Sequence, residues 1–210
     1  MTIFLVLGLL VGAYLLGSIP FGLLVVRALT GHDIRQEGSG NIGAANVYRV
    51  AGPVVAVVVL VLDLLKGLIP VIVARAVAAG RPGADTVVVL VGIAAIAGHN
   101  WSLILRGRGG KGIATSYGAL LALSPAAGGV AALVWVVIAV LTRYASLASL
   151  FGVLSVPVVM LNRHEPVPHL FFGLVTLVFG VWRHRGNIHR LVRGEERRLG
   201  ATEKQGATGA

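Results

Sequence analysis

Seven apolar segments divide this chain, and they leave it little choice of solvent. They cover residues 3–29, 52–79, 84–105, 113–123, 126–141, 146–161 and 169–182. A helix needs about 20 residues to cross the hydrocarbon of a bilayer, and fewer where the bilayer thins. Only 12% of the 210 residues are charged, against about a quarter in a soluble domain. The pattern predicts an all-α polytopic membrane protein with seven transmembrane helices. Its 29 glycines suit such a bundle, because small residues let helix backbones touch in lipid. Residues 113–123 are the shortest segment, and Ser124-Pro125 ends it.

Charge placement orients the spans. If all seven cross, one side collects Arg27, Arg35, Arg49, Arg106, Arg108, Lys111, Arg143 and the basic run from Arg183 to Lys204. The other side holds only Arg75, Arg81 and Arg163. The positive-inside rule then puts the N-terminus outside and the C-terminus in the cytoplasm. Without a crossing at 113–123 the basic tail would land outside, so the charge bias supports that span. The formal net charge of +10 becomes topology signal and attraction to anionic headgroups; nucleic-acid binding is not needed. The N-terminus lacks a basic leader and reads as an uncleaved first span. Residues 1–198 read as one membrane domain, and the small polar residues 199–210 as a disordered tail.

This topology gathers three polar stretches at the cytoplasmic surface. The first runs from Gly38-Ser39-Gly40-Asn41 through Gly43, Ala45 and Asn46 to Arg49. The second runs from His99 to Gly112 and contains Gly109-Gly110-Lys111-Gly112. The third is Arg183-His184-Arg185-Gly186-Asn187-Ile188-His189-Arg190. Glycine N–H groups approach anions closely, and Arg and Lys add charge. The second stretch fails as a Walker A loop. Leu105 stands where that pattern needs Gly, and Gly112 where it needs Ser or Thr. Nucleotide hydrolysis is therefore rejected while anion binding survives. In the third stretch, His184 and Asn187 share a helical face.

Asp63 and Lys66 lie three apart inside the second span. Each costs about 2.5–3.5 kcal/mol at mid-membrane. A mutual ion pair offsets part of that cost without explaining why either is present. Pro70 is expected to disturb the same helix. No His/Asp/Glu cluster has metal-ligand spacing, no Gly-x-Ser-x-Gly elbow surrounds Ser39, and cysteine is absent. No metal, cofactor or thioester intermediate is called for.

Together these stretches, with Gly17-Ser18-Ile19-Pro20-Phe21-Gly22 and Asp63-Leu64-Leu65-Lys66-Gly67, resemble the bacterial acyl-phosphate:glycerol-3-phosphate acyltransferases, integral membrane enzymes of phospholipid synthesis. The likeness spans nearly the whole chain, in order. It implies a seven-helix bundle in the bacterial cytoplasmic membrane with its active site facing the cytoplasm. It also implies transfer of a fatty acyl group from acyl phosphate to the 1-hydroxyl of glycerol 3-phosphate. Ser39, Arg49, Lys111, His184 and Asn187 would be catalytic. Gly38, Gly40, Asn41, Asn46, His99, Gly109, Gly110, Gly112 and Arg183 would bind substrate. Asp63, Lys66 and Glu195 would support them. A soluble enzyme that makes acyl phosphate is an implied partner, beside membrane lipid. The chain departs from the family pattern at Ala45, usually Thr, at Ile42, often Pro or Val, and at Trp101-Ser102, near which members usually carry Phe-Pro.

Such a reaction needs cations and N–H donors more than a strong nucleophile, because acyl phosphate is already activated. Either His184 or a substrate phosphate oxygen would take the hydroxyl proton. The rival class is a transporter or channel for a phosphorylated solute, which mid-membrane Asp63 and Lys66 would suit. Against it, polar chemistry here collects at one surface rather than at the midplane.

Overall fold

The computed structural model describes residues 1–200. Their regular structure is helical: α1 (Ile3–Gly17), α2 (Phe21–Thr30), a 3-10 turn (Ile34–Gln36), α3 (Ala44–Ala78), α4 (Ala84–Asn100), α5 (Ile113–Leu123), α6 (Pro125–Thr142), α7 (Ala145–Asn162), α8 (Val167–Arg183) and α9 (Arg185–Val192). By length and composition four stretches suffice to cross a membrane, the first being Ile3–Thr30 taken whole, and the bent pair α8–α9 makes a fifth. Helices α4 and α5 are apolar but shorter.

The first span breaks where the sequence forces it. Pro20 has no N–H and disfavours helical backbone in Ile19, so α1 stops at Gly17 and α2 restarts at Phe21. A broken helix at membrane depth must satisfy its freed carbonyls internally. Lys66 does so, donating to the Ile19 carbonyl at 2.8 Å. Asp63 neutralises it at 2.8 Å, and the Phe21 ring lies 5.6 Å from the ammonium. The buried charges in α3 thus exist because α1 and α2 do not join. Ser102 completes the mend by donating to the Ser18 carbonyl at 2.5 Å.

In α3, the expected start at 52 moves back to Ala44, and the disturbance falls at Gly52 rather than Pro70. Gly52 takes φ 81°, ψ 178°, the one non-helical residue inside the element. Pro53 drives the residue before it out of helical space, and glycine can follow. Close backbone contacts set the rest of the bundle. A Cβ on Gly67 would sit 2.0 Å from the Thr115 carbonyl oxygen, and one on Gly118 1.9 Å from that of Leu64, so α3 and α5 touch reciprocally.

Helix α5 is 11 residues long and its neighbour α6 is 18. Both end at the same place, the Ser124 turn. There Ser124 caps α6 and bonds Glu165, which also meets His169 at 3.1 Å. Arg75 of α3 closes that end by donating to the Leu123 carbonyl at 3.1 Å. At 1.5 Å per residue the start of α5 therefore lies about 10 Å deeper than the far end of α6. At the start of the tail expected from residue 199, Leu199 and Arg143 bond reciprocally at 2.6 and 3.0 Å. The remainder of that tail, 201–210, lies outside the described residues.

Removing one partner of a buried charge pair costs about 3–5 kcal/mol. Lys66→Met strands Asp63 and the Ile19 carbonyl, so its melting temperature in detergent should fall sharply, with partial recovery in Asp63→Asn/Lys66→Met. An unchanged melting temperature for the single variant contradicts this account of the break.

Candidate active site

The three polar stretches meet at the recessed start of α5. In the first, Asn46 is buried and acts as a brace. Its Oδ1 accepts from the Ser39 N–H at 2.8 Å, and its Nδ2 donates to the Glu37 and Ile34 carbonyls at 3.0 and 3.4 Å. Gly38 and Gly40 turn with φ 57° and 70°. Asn41 Oδ1 accepts from the Gly43 N–H at 2.9 Å, which caps the entry to α3. Asn46 was expected to contact substrate; both ends of its amide are instead spent on backbone.

The second stretch departs further from expectation. Gly109 and Gly110 are engaged with the end of α4. The Gly110 N–H donates to the His99 carbonyl at 3.0 Å. A Cβ on Gly109 would lie 1.9 Å from that same oxygen, and one on Gly110 2.2 Å from His99 Nε2. The glycines are required by close packing on the end of α4. Arg183, expected at the substrate, clamps this loop by donating to the Gly110 and Gly109 carbonyls at 2.9 and 2.8 Å. The clamp turns Lys111 inward.

From Lys111 a chain of hydrogen bonds crosses into the third stretch. Its ammonium donates to Asn187 Oδ1 at 2.6 Å, and Asn187 Nδ2 donates to Glu196 Oε1 at 2.6 Å. Ser146 and Arg190 donate to the same carboxylate at 2.8 and 2.9 Å. The carboxylate this chain of bonds reaches is Glu196; Glu195, expected to support the site, is exposed. Burial pushes the Glu196 carboxyl up, but the hydrogen bonds from Asn187, Ser146 and Arg190 outweigh it and hold the group below its ordinary range.

Burial lowers Lys111 to about 8. His184, just past the end of α8, is lowered to about 4 by burial and then by the charge of Lys111. Its Nδ1 lies 2.7 Å from the Gly180 carbonyl. A carbonyl only accepts, so Nδ1 carries the proton and the neutral ring keeps a lone pair on Nε2.

These groups line one cavity of about 500 Å³ with two ends. The polar end holds Ser39, Asn41, Arg49, Lys111, His184 and Asn187, together with Asp63 and His99. Arg49, Lys111, Arg190 and Arg197 supply four cations, against Asp63 and Glu196, which already pair with Lys66 and Arg190. The first residues of α3, α5 and α7 also face it, as Ala44, Ala45, Ile113, Ala114, Ala145 and Ser146. A helix N-terminus offers unpaired N–H groups and a positive dipole end, so three of them around one cavity favour anions. The other end is apolar, lined by Leu60, Leu64, Ile113, Tyr117, Ala132, Trp135 and Val136. Helix α5 packs on both α3 and α6, which make no extended contact with each other. Leu60 and Val136 at this gap are 44% and 50% exposed. The apolar end thus opens sideways, where lipid would lie.

Gly38, Asn46 and Gly112 also line the cavity; Gly40, Gly109, Gly110, Arg183, Lys66 and Glu195 do not. Sequence reasoning missed Ser146, Ser149, Glu196 and Arg197. The two serines repeat at helical spacing on one face of α7, a signal too common to single out alone. A test of the clamp is Arg183→Lys, since one ammonium cannot hold both glycine carbonyls as the guanidinium does. Charged hydrogen bonds contribute about 1.5–3 kcal/mol. Amide exchange across residues 106–112 should therefore quicken about tenfold or more, and unchanged exchange contradicts the clamp.

Residues 7–194 match the family model described as glycerol-3-phosphate acyltransferase. A glycerol-3-phosphate acyltransferase of Desulforamulus reducens is 45% identical over 91% of this chain and 94% of its own. One of Myxococcus xanthus is 48% identical over 89% and 95%. Among solved structures, the glycerol 3-phosphate form of PlsY (YgiH), an integral membrane glycerol 3-phosphate acyltransferase, aligns with TM-score 0.87 and 40% identity, covering 93% of this chain and 96% of that one. Its lysophosphatidic acid form aligns with TM-score 0.85, also at 40% identity, covering 93% and 95%. With a family model over most of its length and relatives near half identical, this chain belongs to the glycerol-3-phosphate acyltransferase family.

Proposed function

We propose that this chain transfers a fatty acyl group from acyl phosphate to the 1-hydroxyl of sn-glycerol 3-phosphate, giving 1-acyl-sn-glycerol 3-phosphate and phosphate. The observation that carries the reading is the two-ended cavity. A cationic end ringed by three helix N-termini suits two phosphate groups, and the apolar arm joined to it suits an acyl chain drawn from lipid. Family membership and likeness to structures named for their glycerol 3-phosphate and lysophosphatidic acid forms support it.

In this reading Ser39, Asn41, Arg49 and the N-terminus of α3 hold the acyl-phosphate head. Lys111 and the N-terminus of α5 hold the phosphate of glycerol 3-phosphate. His184 Nε2 accepts a hydrogen bond from the 1-hydroxyl and aims it at the acyl carbonyl. The hydroxyl oxygen bonds to the carbonyl carbon, and the bond from that carbon to the phosphate oxygen breaks. Burial and the charge of Lys111 hold His184 down to about 4, which favours the neutral ring as a hydrogen-bond acceptor over a proton carrier. The proton therefore ends on the departing phosphate while His184 orients. Helix N-termini and cations stabilise charge on the carbonyl oxygen as it forms.

The protein would sit in the bacterial cytoplasmic membrane as a single domain crossing seven times, with its N-terminus outside and this cavity facing the cytoplasm. Basic Arg106, Arg108, Arg185, Arg190 and Arg193 all lie on the cavity side, as the positive-inside rule requires. Crossing by the short α5 is reconciled with its length by its recessed start.

Purified protein in detergent, given acyl phosphate and glycerol 3-phosphate, should form 1-acyl-glycerol 3-phosphate detected by mass. An acyl thioester given in place of acyl phosphate should form none. Lys111→Ala and Ser39→Ala should each lower kcat/KM by about a hundredfold or more while membrane abundance stays normal. Full activity in both variants contradicts the site, and transfer from the thioester contradicts the donor.

A further inference from the structure

A fixed ring stands at the near end of the apolar arm. Trp135 lies seven residues before the end of α6, about 10 Å below it. That is the level at which α5 begins, so the indole borders the polar end where the first carbons of a bound chain must pass. The ring is not free to swing. Its Nε1 donates to Ser149 Oγ at 3.1 Å, and that hydroxyl donates in turn to the Ala145 carbonyl at 2.7 Å. Tyr117, one turn along α5, also lines the arm. Its hydroxyl is seated where a Cβ on Gly152 would lie, 2.0 Å away, so it cannot retreat toward α7. Leu60 and Val136 are half-exposed at the gap between α3 and α6.

A ring braced beside the polar end senses the thickness of a chain close to its reacting carbon and not its length. We infer that Trp135, pinned by Ser149, is the specificity-determining residue for the acyl donor, admitting straight chains and rejecting chains branched near the carboxyl end. The inference rests on the acyl-transfer reading above. A branch must displace a ring that is braced on α7, whereas a branch far along the chain lies beyond the rings, toward the lipid. One extra methyl group that does not fit costs roughly 10–200-fold in kcat/KM.

The test compares three acyl phosphates at matched glycerol 3-phosphate: straight C16, C16 with a methyl on carbon 4, and C16 with a methyl on carbon 14. The natural protein should use the carbon-4 branch about tenfold or more worse than the straight chain and the carbon-14 branch nearly as well. Trp135→Ala should bring the carbon-4 ratio close to one. Trp135→Leu, a milder change, should give an intermediate ratio. Equal use of all three donors by the natural protein overturns the inference. So does a carbon-4 ratio left unchanged by either substitution. Absence of transfer from every acyl phosphate, straight chain included, instead overturns the acyl-phosphate reading, and this inference falls with it.

Discussion

The short helix α5 is the constraint on which the site depends. With 11 residues beside the 18 of α6, it leaves the bundle unfilled for about 10 Å at one end. The chain fills part of this space with loops from three distant stretches and leaves the rest as a cavity. The same shortness keeps α3 and α6 apart above α5, which gives the cavity its apolar arm. One missing pair of turns thus provides both the cationic pocket and the route to lipid.

The buried charges follow from a second economy. Pro20 breaks the first span, the break frees a carbonyl, and Lys66 with Asp63 answers it. Ser102 and Tyr14 tie the loop after α4 to the same break, Tyr14 donating to the Trp101 carbonyl at 2.7 Å. His99, at the end of α4 just before that loop, packs its carbonyl and ring against Gly109 and Gly110. Lys111 is therefore aimed by a chain of contacts that begins at a proline some ninety residues earlier in sequence.

Much of this was legible in the amino acids. The apolar segments located the helices, and residues of the three polar stretches line one cavity. Individual side-chain roles were less legible. A Gly-Gly-Lys run looks like an anion cradle, yet here its glycines serve packing and its arginine clamp comes from Arg183. Asn46 and Glu196 escaped for the same reason. Sequence shows which groups are polar but not which backbone atoms already claim them, and Glu195 and Glu196 are indistinguishable until the turn after α9 sends one inward. The break at Gly52 rather than Pro70 is also a matter of context: a proline in mid-helix removes one hydrogen bond, whereas one that follows a glycine has a neighbour free to leave the helix.

The central claim is that Lys111, charged and buried, holds a phosphate. Burial lowers its pKa to about 8, and the charged form is the one that binds, so affinity must be lost as pH rises through that value. The direct measurement is the dissociation constant of glycerol 3-phosphate by calorimetry from pH 6.5 to 9.5. The account predicts a plateau below pH 8, weakening that approaches tenfold per unit above it, and a flat profile in Lys111→Arg, whose guanidinium stays charged throughout. Affinity that holds constant to pH 9.5 in the natural protein would contradict it.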